Sequence, residues 1–418
     1  MTTTTSVAQA VAPERWADLA TVPRGAVASA VARRIFLAAV RRLDVTVRID
    51  GRTVGRGGPE MTVHRPDELF ARLGADHTVG FGEAYLTGAW DAEDLGGFLT
   101  VLAANVADLV PRPLQLLRSA VVARPPRDER GDKTDTRRVV AHHYDLSNEL
   151  FELFLDPTMT YSCARFRTDA TGAPLPGDDL ESAQLRKIDD LLDLAGVGPG
   201  TRLLEIGTGW GALAVRAAER GAVVRTVTLS VEQRRLAKER IAAAGYADRV
   251  RVDLCDYRDI TGTYDAVVSV EMVEAVGWRH WPTYLQTIDR VLAPGGRAAI
   301  QAITMPHDRM LATRDTYTWM TKYIFPGGFL PSLRALEEAA RDHTTLRLRS
   351  ADAMGQHYAE TLRQWDERFT ARAEEVARLG FDETFRRMWH FYLEYSRAGF
   401  ASGYLDDHQV LFEREERA

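Results

Sequence analysis

The sequence predicts an α/β fold, in which a mainly parallel sheet is covered by helices and follows a smaller, mostly helical N-terminal domain. Three observations predict this class. Strand-like and helix-like segments alternate beyond the middle of the chain, a glycine-rich turn follows the first of these strands, and a charged stretch with a proline pair separates the two parts. Such a Rossmann-like sheet binds its ligand beyond the carboxyl ends of the strands.

The alternation is clear from segment to segment. Short apolar and β-branched runs predict strands at Leu203–Ile206, Val223–Leu229, Val250–Leu254, Ala266–Val270 and Arg297–Ile303. Helices are predicted between them, at the alanine-rich residues 211–220 and at Glu232–Ala244, which Gly245 stops. The carboxyl ends of the strands then form one ligand-binding mouth from Gly207–Gly211, Thr228–Gln233, Asp256–Arg258 and Glu271–Gly277.

The length of 418 residues favours two domains. The clearest boundary is residues 124–138, which are charged and almost free of apolar side chains, as an exposed linker would be. We therefore expect an N-terminal domain over residues 1–123 and a catalytic domain over residues 139–418.

Composition restricts the compartment and the partners. The net charge of −6 gives no support for nucleic-acid binding, and two cysteines in so long a chain suit a reducing cytoplasm. Residues 1–12 lack the pattern of a secretory signal, and there is no apolar run of the roughly 18 residues that a membrane span needs. We expect a cytoplasmic protein with no nucleic-acid partner and no metal site.

The glycine-rich turn is the most informative motif. Residues 202–211 read Arg-Leu-Leu-Glu-Ile-Gly-Thr-Gly-Trp-Gly, so an apolar strand carrying Glu205 runs into three closely spaced glycines before a helix. Glycines allow a tight turn, and the N-terminus of the helix offers free N–H groups to a ligand. The turn therefore suits a nucleotide-like cofactor.

Two common cofactor sites fit the turn poorly. A dinucleotide site would place the third glycine one residue later and an acid at the end of the second strand, where Val227–Ser230 has none. A Walker loop would need a lysine after the glycines. The loop of class I S-adenosylmethionine (SAM) methyltransferases fits better, and residues 290–297 resemble the turn before the fifth strand of that fold. This resemblance implies a mainly parallel sheet of seven strands.

Two stretches predict basic amphipathic helices. Apolar residues recur every four positions from Val27 to Ala39 among arginines, and residues 112–127 mix leucine and valine with four arginines. Such helices can lie on an anionic membrane surface. They can also pack on their own domain with the arginines in solvent, and the sequence leaves both interpretations open.

Several motifs together resemble the cyclopropane-fatty-acyl-phospholipid synthase family and follow its order over most of the chain. They are Phe81–Trp90, His143–Phe151, Tyr161–Ala164, Leu204–Gly211, Thr228–Gln233, Glu271–Gly277 and Lys322–Pro331. The resemblance implies SAM-dependent methyl transfer to the cis double bond of an unsaturated phospholipid acyl chain. It also implies a homo-oligomer, expected to be a dimer, at the inner face of the cell membrane, with the N-terminal domain as its lipid-associating part.

The resemblance further implies which residues act. The SAM contacts of the family correspond to Tyr161, Ser162, Gly207, Gly209, Gly211, Thr228, Leu229, Gln233, Asp256, Tyr257 and Arg258. The family's base is a bound bicarbonate ion, whose ligands correspond to Glu274, Cys163, Tyr358 and the backbone around Ile303. Glu274→Gln is therefore expected to abolish most of the turnover with little effect on SAM affinity.

Simpler explanations exist for three of these residues. Glu274 is also explained as a carboxylate at a helix start, Cys163 as a small buried side chain, and Tyr257 as an ordinary aromatic at a strand end.

Departures from the family pattern concern the product. Gln301 stands where cyclopropane-forming members commonly carry a histidine beside the bicarbonate, and Val273–Ala275 replaces their Phe-Glu-His. Ser396 stands where cysteine is frequent. This variant is similar to an actinobacterial branch that forms 10-methylene acyl chains, which a separate flavin-dependent reductase converts to 10-methyl stearoyl chains of the tuberculostearic type. We expect the 10-methylene product and a reductase partner, with the cyclopropane as the alternative product.

Two other functional classes stay open. One is a partner protein that binds lipid or SAM without catalysis, and the other is a methyltransferase acting on a small molecule.

Overall fold

The computed structural model describes residues 15–106 and 147–415. The predicted linker 124–138, the predicted basic helix at 112–127 and residues 143–146 of one family motif lie outside the described residues. The β-strands, in chain order, are β1 (Thr46–Ile49), β2 (Arg52–Gly55), β3 (Glu60–Val63), β4 (Trp90–Ala92), β5 (Arg202–Ile206), β6 (Val223–Thr228), β7 (Val250–Leu254), β8 (Tyr264–Val270), β9 (Leu292–Thr304), β10 (Leu346–Ala353) and β11 (Asp406–Arg414).

The α-helices accompany these strands along both parts of the chain. In chain order they are α1 (Ala17–Ala20), α2 (Ala26–Val40), α3 (Pro66–Leu86), α4 (Leu95–Ala104), α5 (Asn148–Phe154), α6 (Leu180–Leu194), α7 (Ala212–Glu219), α8 (Val231–Ala243), α9 (Trp281–Val291), α10 (His307–Thr313), α11 (Trp319–Tyr323), α12 (Leu333–His343), α13 (Gly355–Ala371), α14 (Ala373–Arg378) and α15 (Glu383–Ala401). Within the described residues, no helix is both long enough and apolar enough to cross a lipid bilayer.

The described residues form two compact units. The first contains residues 15–106 together with Thr316–Ile324 and Trp365–Tyr404, and the second contains residues 147–315 together with Phe325–Gln364 and residues 405–415. The sequence analysis placed Thr316–Ile324 and Trp365–Tyr404 in the domain 139–418, whereas their packing groups them with the N-terminal residues. The boundary at residue 123 lies outside the described residues and stays a prediction.

The first unit combines helices with a small sheet that the sequence analysis did not predict. Its strand order is β2-β1-β3-β4, with β1 parallel to β3 and the other neighbours antiparallel. Aromatic side chains fill its core, and the Trp319 ring stands edge-on to Phe391 on α15 at 4.7 Å between centroids. Arg72 is buried there and pairs with Glu68 at 3.0 Å. A buried guanidinium needs such a partner, because an unpaired charge in the core is costly.

The second unit is built on a seven-stranded sheet in the order β10-β11-β9-β8-β5-β6-β7. Strands β5 to β9 run parallel to one another, whereas β11 is antiparallel to both β9 and β10. This confirms the predicted mainly parallel α/β sheet. The strands and helices predicted between residues 203 and 303 are present with small shifts of their ends, except that β9 begins at Leu292, within the turn predicted at residues 290–297.

Helices cover both faces of this sheet because alternate strand residues are apolar on each side. On one face Leu203, Val224 and Val268 pack against α6 and α7, and on the other Leu204, Val267 and Ile300 pack against α9 and α12. Polar caps fix where the helices begin: Ser230 Oγ accepts from Gln233 N at 3.2 Å at the start of α8. The parallel strands therefore end together at one edge, where the glycine turn, Glu271 and Gln301 lie.

Candidate active site

The glycine turn adopts backbone angles that favour glycine. Gly207 has φ 100°, Gly209 φ 52° and Gly211 φ 92°. The N–H groups of Gly207 and Thr208 both donate to Val227 O, at 3.0 and 3.2 Å, so β5 and β6 hold the turn in place. A Cβ built on Gly207 would lie 2.7 Å from Met272 Cγ, whereas one on Gly209 would meet no atom within 4 Å. The turn is packed behind Gly207 and has open space in front of Gly209.

The end of β6 orients a buried amide. Thr228 Oγ1 donates to Gln233 Oε1 at 2.9 Å, and Ser230 N donates to Thr228 Oγ1 at 3.1 Å. Leu229 between them is half-buried. Gln233 is thus held through its carbonyl oxygen. This orientation leaves its amide nitrogen to act as a donor, which can bind a hydroxyl group.

The segment after β7 combines an ion pair with a buried ring. Arg258 Nε and Nη2 donate to the two oxygens of Asp256 at 2.8 and 2.7 Å, so these two predicted cofactor residues bind each other. Tyr257 between them is 8% exposed and stands edge-on to Tyr284 at 5.4 Å between centroids. Burial raises the pKa of Tyr257 to about 12. This side chain is a neutral aromatic surface at physiological pH.

Tyr161 and Ser162 lie next to a buried lysine. The Tyr161 ring is 5.2 Å from that of Phe151. Ser162 Oγ accepts from Lys187 Nζ at 2.6 Å, and its carbonyl accepts from Gln184 Nε2 at 2.8 Å. Burial lowers the pKa of Lys187, and the carboxylate of Glu271 opposes this shift. Lys187 is 1% exposed, so its charge acts on buried groups rather than on solvent.

The Glu271 carboxylate joins three residues of the predicted catalytic set. Its Oε1 accepts from Cys163 N at 2.8 Å and from Gln301 Nε2 at 2.9 Å, and its Oε2 accepts from the Tyr358 hydroxyl at 2.7 Å. Burial raises the pKa of Glu271, while the bond from Cys163 N and the charge of Lys187 oppose the shift. Cys163, Gln301 and Tyr358 are buried, whereas Glu271 retains accessible surface.

Glu271 also has a strained backbone. Its φ of 50° is a left-handed value that residues other than glycine rarely adopt, and its N–H donates to Gln301 O at 2.8 Å. Such a conformation costs about 1–3 kcal/mol and persists where the surroundings fix it. The fold therefore accepts strain to place this carboxylate.

Glu274 lies beside the cluster and binds the backbone of Ile303, another residue of the predicted bicarbonate site. Its Oε1 accepts from Ile303 N at 2.6 Å, whereas its buried Oε2 has no hydrogen-bond partner among the described residues. Burial and the negative charge of Glu271 raise the pKa of Glu274 to about 8. Near neutral pH the carboxyl group is therefore mostly protonated, and its free oxygen can carry the proton.

Asp407 is a further buried carboxyl group, which β11 brings to the cluster. Its Oδ2 accepts from Gln301 Nε2 at 2.9 Å. Burial and then the charge of Glu271 raise the pKa of Asp407 well above its usual range. Of the two carboxyl groups that share the Gln301 amide, Asp407 is therefore the neutral one and Glu271 the charged one. The pKa of the Cys163 thiol is also raised by burial, and the thiol donates to Ala164 O at 3.2 Å. Cys163 is therefore a neutral thiol here.

The sequence analysis missed three members of this cluster, which are Glu271, Lys187 and Asp407. A signal existed for Lys187, because Ala183, Lys187 and Leu191 share the buried stripe of α6 at helical spacing. A lysine on an apolar helix face predicts a buried charge. Glu271 was included only as the first residue of Glu271–Gly277, in the predicted ligand-binding mouth and in a family motif, without a role of its own. Asp407 lies in a polar run that did not resemble a strand.

Comparisons with known proteins agree with this geometry. The model of the family described as mycolic acid cyclopropane synthetase matches residues 131–410. The tuberculostearic acid methyltransferase UfaA1 of Mycobacterium tuberculosis is 53% identical over 414 residues, covering 97% of each chain. The cyclopropane-fatty-acyl-phospholipid synthase of Escherichia coli K12 is 34% identical over 86% of this chain and 89% of its own.

A solved structure supports the same assignment. The mycolic acid cyclopropane synthase CmaA1, complexed with SAH and CTAB, superposes with a TM-score of 0.60 and 31% identity over 66% of this chain and 98% of its own. The sheet and its glycine turn define the class I SAM methyltransferase fold. Within that class, the chain belongs to the mycolic acid cyclopropane synthetase family of lipid-modifying methyltransferases.

Proposed function

We propose that this protein transfers the methyl group of SAM to C10 of an oleoyl chain in a phospholipid and forms a 10-methylene product. The observation that carries this proposal is Gln301, a buried amide bonded to Glu271 and Asp407 where cyclopropane-forming members commonly carry a histidine. The relative named for tuberculostearic acid, at 53% identity, supports the same branch.

SAM, when bound, supplies an electrophilic methyl group on a sulfonium. The open space in front of Gly209 fits a ligand lying across the turn, because a Cβ there would enter that space. We assign Gln233 to the ribose hydroxyls and Tyr257 to the adenine face. Tyr161, Ser162, Gly207, Gly211, Thr228, Leu229, Asp256 and Arg258 complete the proposed SAM-binding set.

Glu205 offers a further point of fit. It is 3% exposed, its Oε2 has no hydrogen-bond partner among the described residues, and burial raises its pKa to about 8. The amino group of the ligand would satisfy this oxygen. A buried carboxyl oxygen without a partner is otherwise an unexplained cost in the core.

The chemistry on the acyl chain sets the demands on the site. The alkene electrons form a C–C bond to the methyl group, and the cation left at C9 passes to C10 by a hydride shift from C10 to C9. Loss of a proton from the new methyl group then forms the exocyclic double bond. The protein must shield the cation from water and provide one proton acceptor.

The proposed lipid contact involves the first unit. Helix α2 exposes Val27 by 80% and Val31 by 52%, together with Arg34 and, just beyond its end, Arg41. A cleft of about 730 Å³ beside this helix is lined in part by Phe70, Arg33 and Arg65. Exposed valines among arginines are the composition of a surface that meets anionic lipid. We therefore propose peripheral contact with the inner face of the cell membrane.

Two partners belong to the proposal. The 10-methylene group is an isolated alkene, so its conversion to a 10-methyl branch requires a two-electron reduction, which we assign to a separate flavin-dependent reductase. Homodimerisation is proposed from the family resemblance alone.

Mass spectrometry of lipids tests the proposed function. Cells that make oleoyl phospholipids would express this chain with and without a flavin reductase. We expect 10-methylene chains without the reductase and 10-methyl stearoyl chains with it. A cyclopropane product alone would assign the alternative activity, and unmodified lipid together with a methylated small molecule would assign the chain to another class of methyltransferase.

A further inference from the structure

Two residues predicted to hold a bicarbonate ion, Cys163 and Tyr358, instead bind a carboxylate of this chain, and Gln301 binds it with them. Cys163 N, Gln301 Nε2 and the Tyr358 hydroxyl all donate to Glu271, at 2.7 to 2.9 Å. A carboxylate and a bicarbonate ion present the same pair of oxygens, so one set of donors accommodates either group. The donors are already used, and the residues present therefore do not fit an added bicarbonate.

Charge leads to the same conclusion. Glu271 and Asp407 share the charge of one buried lysine, Lys187, and Glu274 adds a third carboxyl group beside Glu271. Another anion would add negative charge where burial and Glu271 already raise the pKa of Asp407 and Glu274. Like charges in a site shielded from water repel strongly.

From this arrangement we propose that Glu271 is the catalytic base and takes the place of bicarbonate in this protein. The proposal rests on the proposed function, since it names the group that accepts the proton in that reaction. Glu271 retains accessible surface while Cys163, Gln301 and Tyr358 are buried, so a substrate that reaches the cluster meets this carboxylate. The strained backbone of Glu271, with φ 50°, is the conformational cost of placing it there.

The proton step is balanced without another reactant. A C–H bond of the new methyl group breaks, its electron pair forms the C=C bond and neutralises the cation, and the proton moves to Glu271. Oε2 accepts the proton, because it receives only one hydrogen bond, from the Tyr358 hydroxyl, whereas Oε1 already receives two hydrogen bonds. The neutral acid then releases its proton to water before the next turnover.

The other charged groups tune this carboxylate. Lys187 opposes the rise in the pKa of Glu271, so it favours the ionised form of this carboxyl group, which is the form that can accept a proton. Asp407, held neutral by burial, shares the Gln301 amide without adding a second negative charge. Gln301 is therefore a positioning residue, which cannot itself accept the proton because an amide is not basic.

The first experiment uses the unmodified protein. Methyl transfer from labelled SAM to oleoyl phospholipid vesicles is measured in buffer stripped of carbon dioxide, with and without about 20 mM bicarbonate. We expect rates that agree within twofold. A tenfold or greater stimulation by bicarbonate would overturn the proposal. Failure of the protein to methylate lipid in either buffer would instead contradict the proposed function, so the two failures are distinguishable.

Two variants of Glu271 sharpen the test. Glu271→Gln keeps the size of the side chain but not its basicity, and we expect a loss of about 100-fold that bicarbonate does not restore. Glu271→Gly frees the three donors and suits the left-handed backbone, so we expect a similar loss that bicarbonate restores at least tenfold. Retention of a third or more of the rate by Glu271→Gln, or no rescue of Glu271→Gly, would overturn the proposal.

Controls separate chemistry from folding. Glu338→Gln removes an exposed carboxylate that pairs with Arg334 on α12, and it should keep the full rate with no bicarbonate effect. Each Glu271 variant should bind SAM within threefold of the unmodified protein, measured by calorimetry. Bound SAM with lost turnover identifies a defect in the reaction rather than in the fold.

Discussion

Two glycines of the same turn should respond differently to alanine. Gly207 has φ 100°, outside the left-handed region that alanine tolerates, and its Cβ would lie 2.7 Å from Met272 Cγ. The backbone strain costs about 1–3 kcal/mol, and displacement of Met272 costs about 1–3 kcal/mol more. We expect Gly207→Ala to lose roughly 2–6 kcal/mol of folding free energy, or on the order of 5–20 °C in melting temperature for a unit of this size.

Gly209 is the matched comparison. Its φ of 52° lies within the left-handed region, and its Cβ would meet no atom within 4 Å. Gly209→Ala should therefore lose only about 1 kcal/mol of stability. If SAM lies across this turn, the same methyl group enters the ligand's space, and we expect SAM affinity to fall roughly tenfold to a hundredfold.

Thermal melting without ligand and calorimetry with SAM measure the two effects separately. Gly200→Ala provides a control, because Gly200 has a positive φ of 79° with open space around its Cβ and lies before β5. An unchanged melting temperature for Gly207→Ala would refute the packing argument. Normal SAM affinity for Gly209→Ala would refute the placement of the cofactor across the turn.

Three further predictions concern buried charges. Burial raises the pKa of Glu205 to about 8 in the folded protein, so the folded state keeps a proton on this carboxyl group that the unfolded state loses. The stability that this proton contributes is fully present below about pH 4.5 and is lost as the pH rises through 8. Glu205→Gln should flatten the fall in unfolding free energy between pH 5.5 and 7.5 by about 1.4 kcal/mol per pH unit in denaturant titrations, and equal slopes would contradict this. Lys187→Met removes the charge that opposes the raised pKa of Glu271, so the acid limb of the pH–rate profile should move to higher pH, and an unmoved limb would show that Lys187 does not act on the base. Glu274→Gln, expected from the family resemblance to abolish most turnover, should retain at least a tenth of the rate at pH 7, because the pKa of Glu274 of about 8 makes its carboxyl group a neutral donor that the amide replaces. A hundredfold loss would show that the Glu274 carboxyl group takes part in the proton transfer and would contradict its role as a neutral donor.

The parallel strands and the glycine turn could be predicted because local pattern determines them. Apolar runs at the positions of β5 to β8 bury side chains on both faces, and the closely spaced glycines after Ile206 have few other uses. Strand β10 was missed because Arg347, Arg349 and Asp352 interrupt its apolar pattern. Strand β11 begins with Asp406 and Asp407, which resemble a loop until β9 and β10 pair on either side.

The buried cluster around Glu271 could be predicted only in part. Cys163, Gln301 and Tyr358 were predicted as one site by resemblance, and the structure brings them together around Glu271. No local pattern indicates that the Glu271 carboxylate occupies the centre, because its three donors come from distant parts of the chain. Asp256 and Arg258 were predicted as cofactor residues, and the structure shows that they form an ion pair with each other. The SAM affinity of Arg258→Met tests whether this ion pair contributes to cofactor binding.

The position of β11 has a consequence for biosynthesis. Strand β11, residues 406–414, lies between β9 and β10, although the ribosome makes it after all the remaining strands of the sheet. A nascent chain halted before residue 406 leaves the β9 edge open, and it lacks Asp407 beneath the Gln301 amide. Such an intermediate exposes an unpaired edge that invites aggregation. Activity should consequently be gained in one late step of synthesis rather than gradually as the polypeptide lengthens.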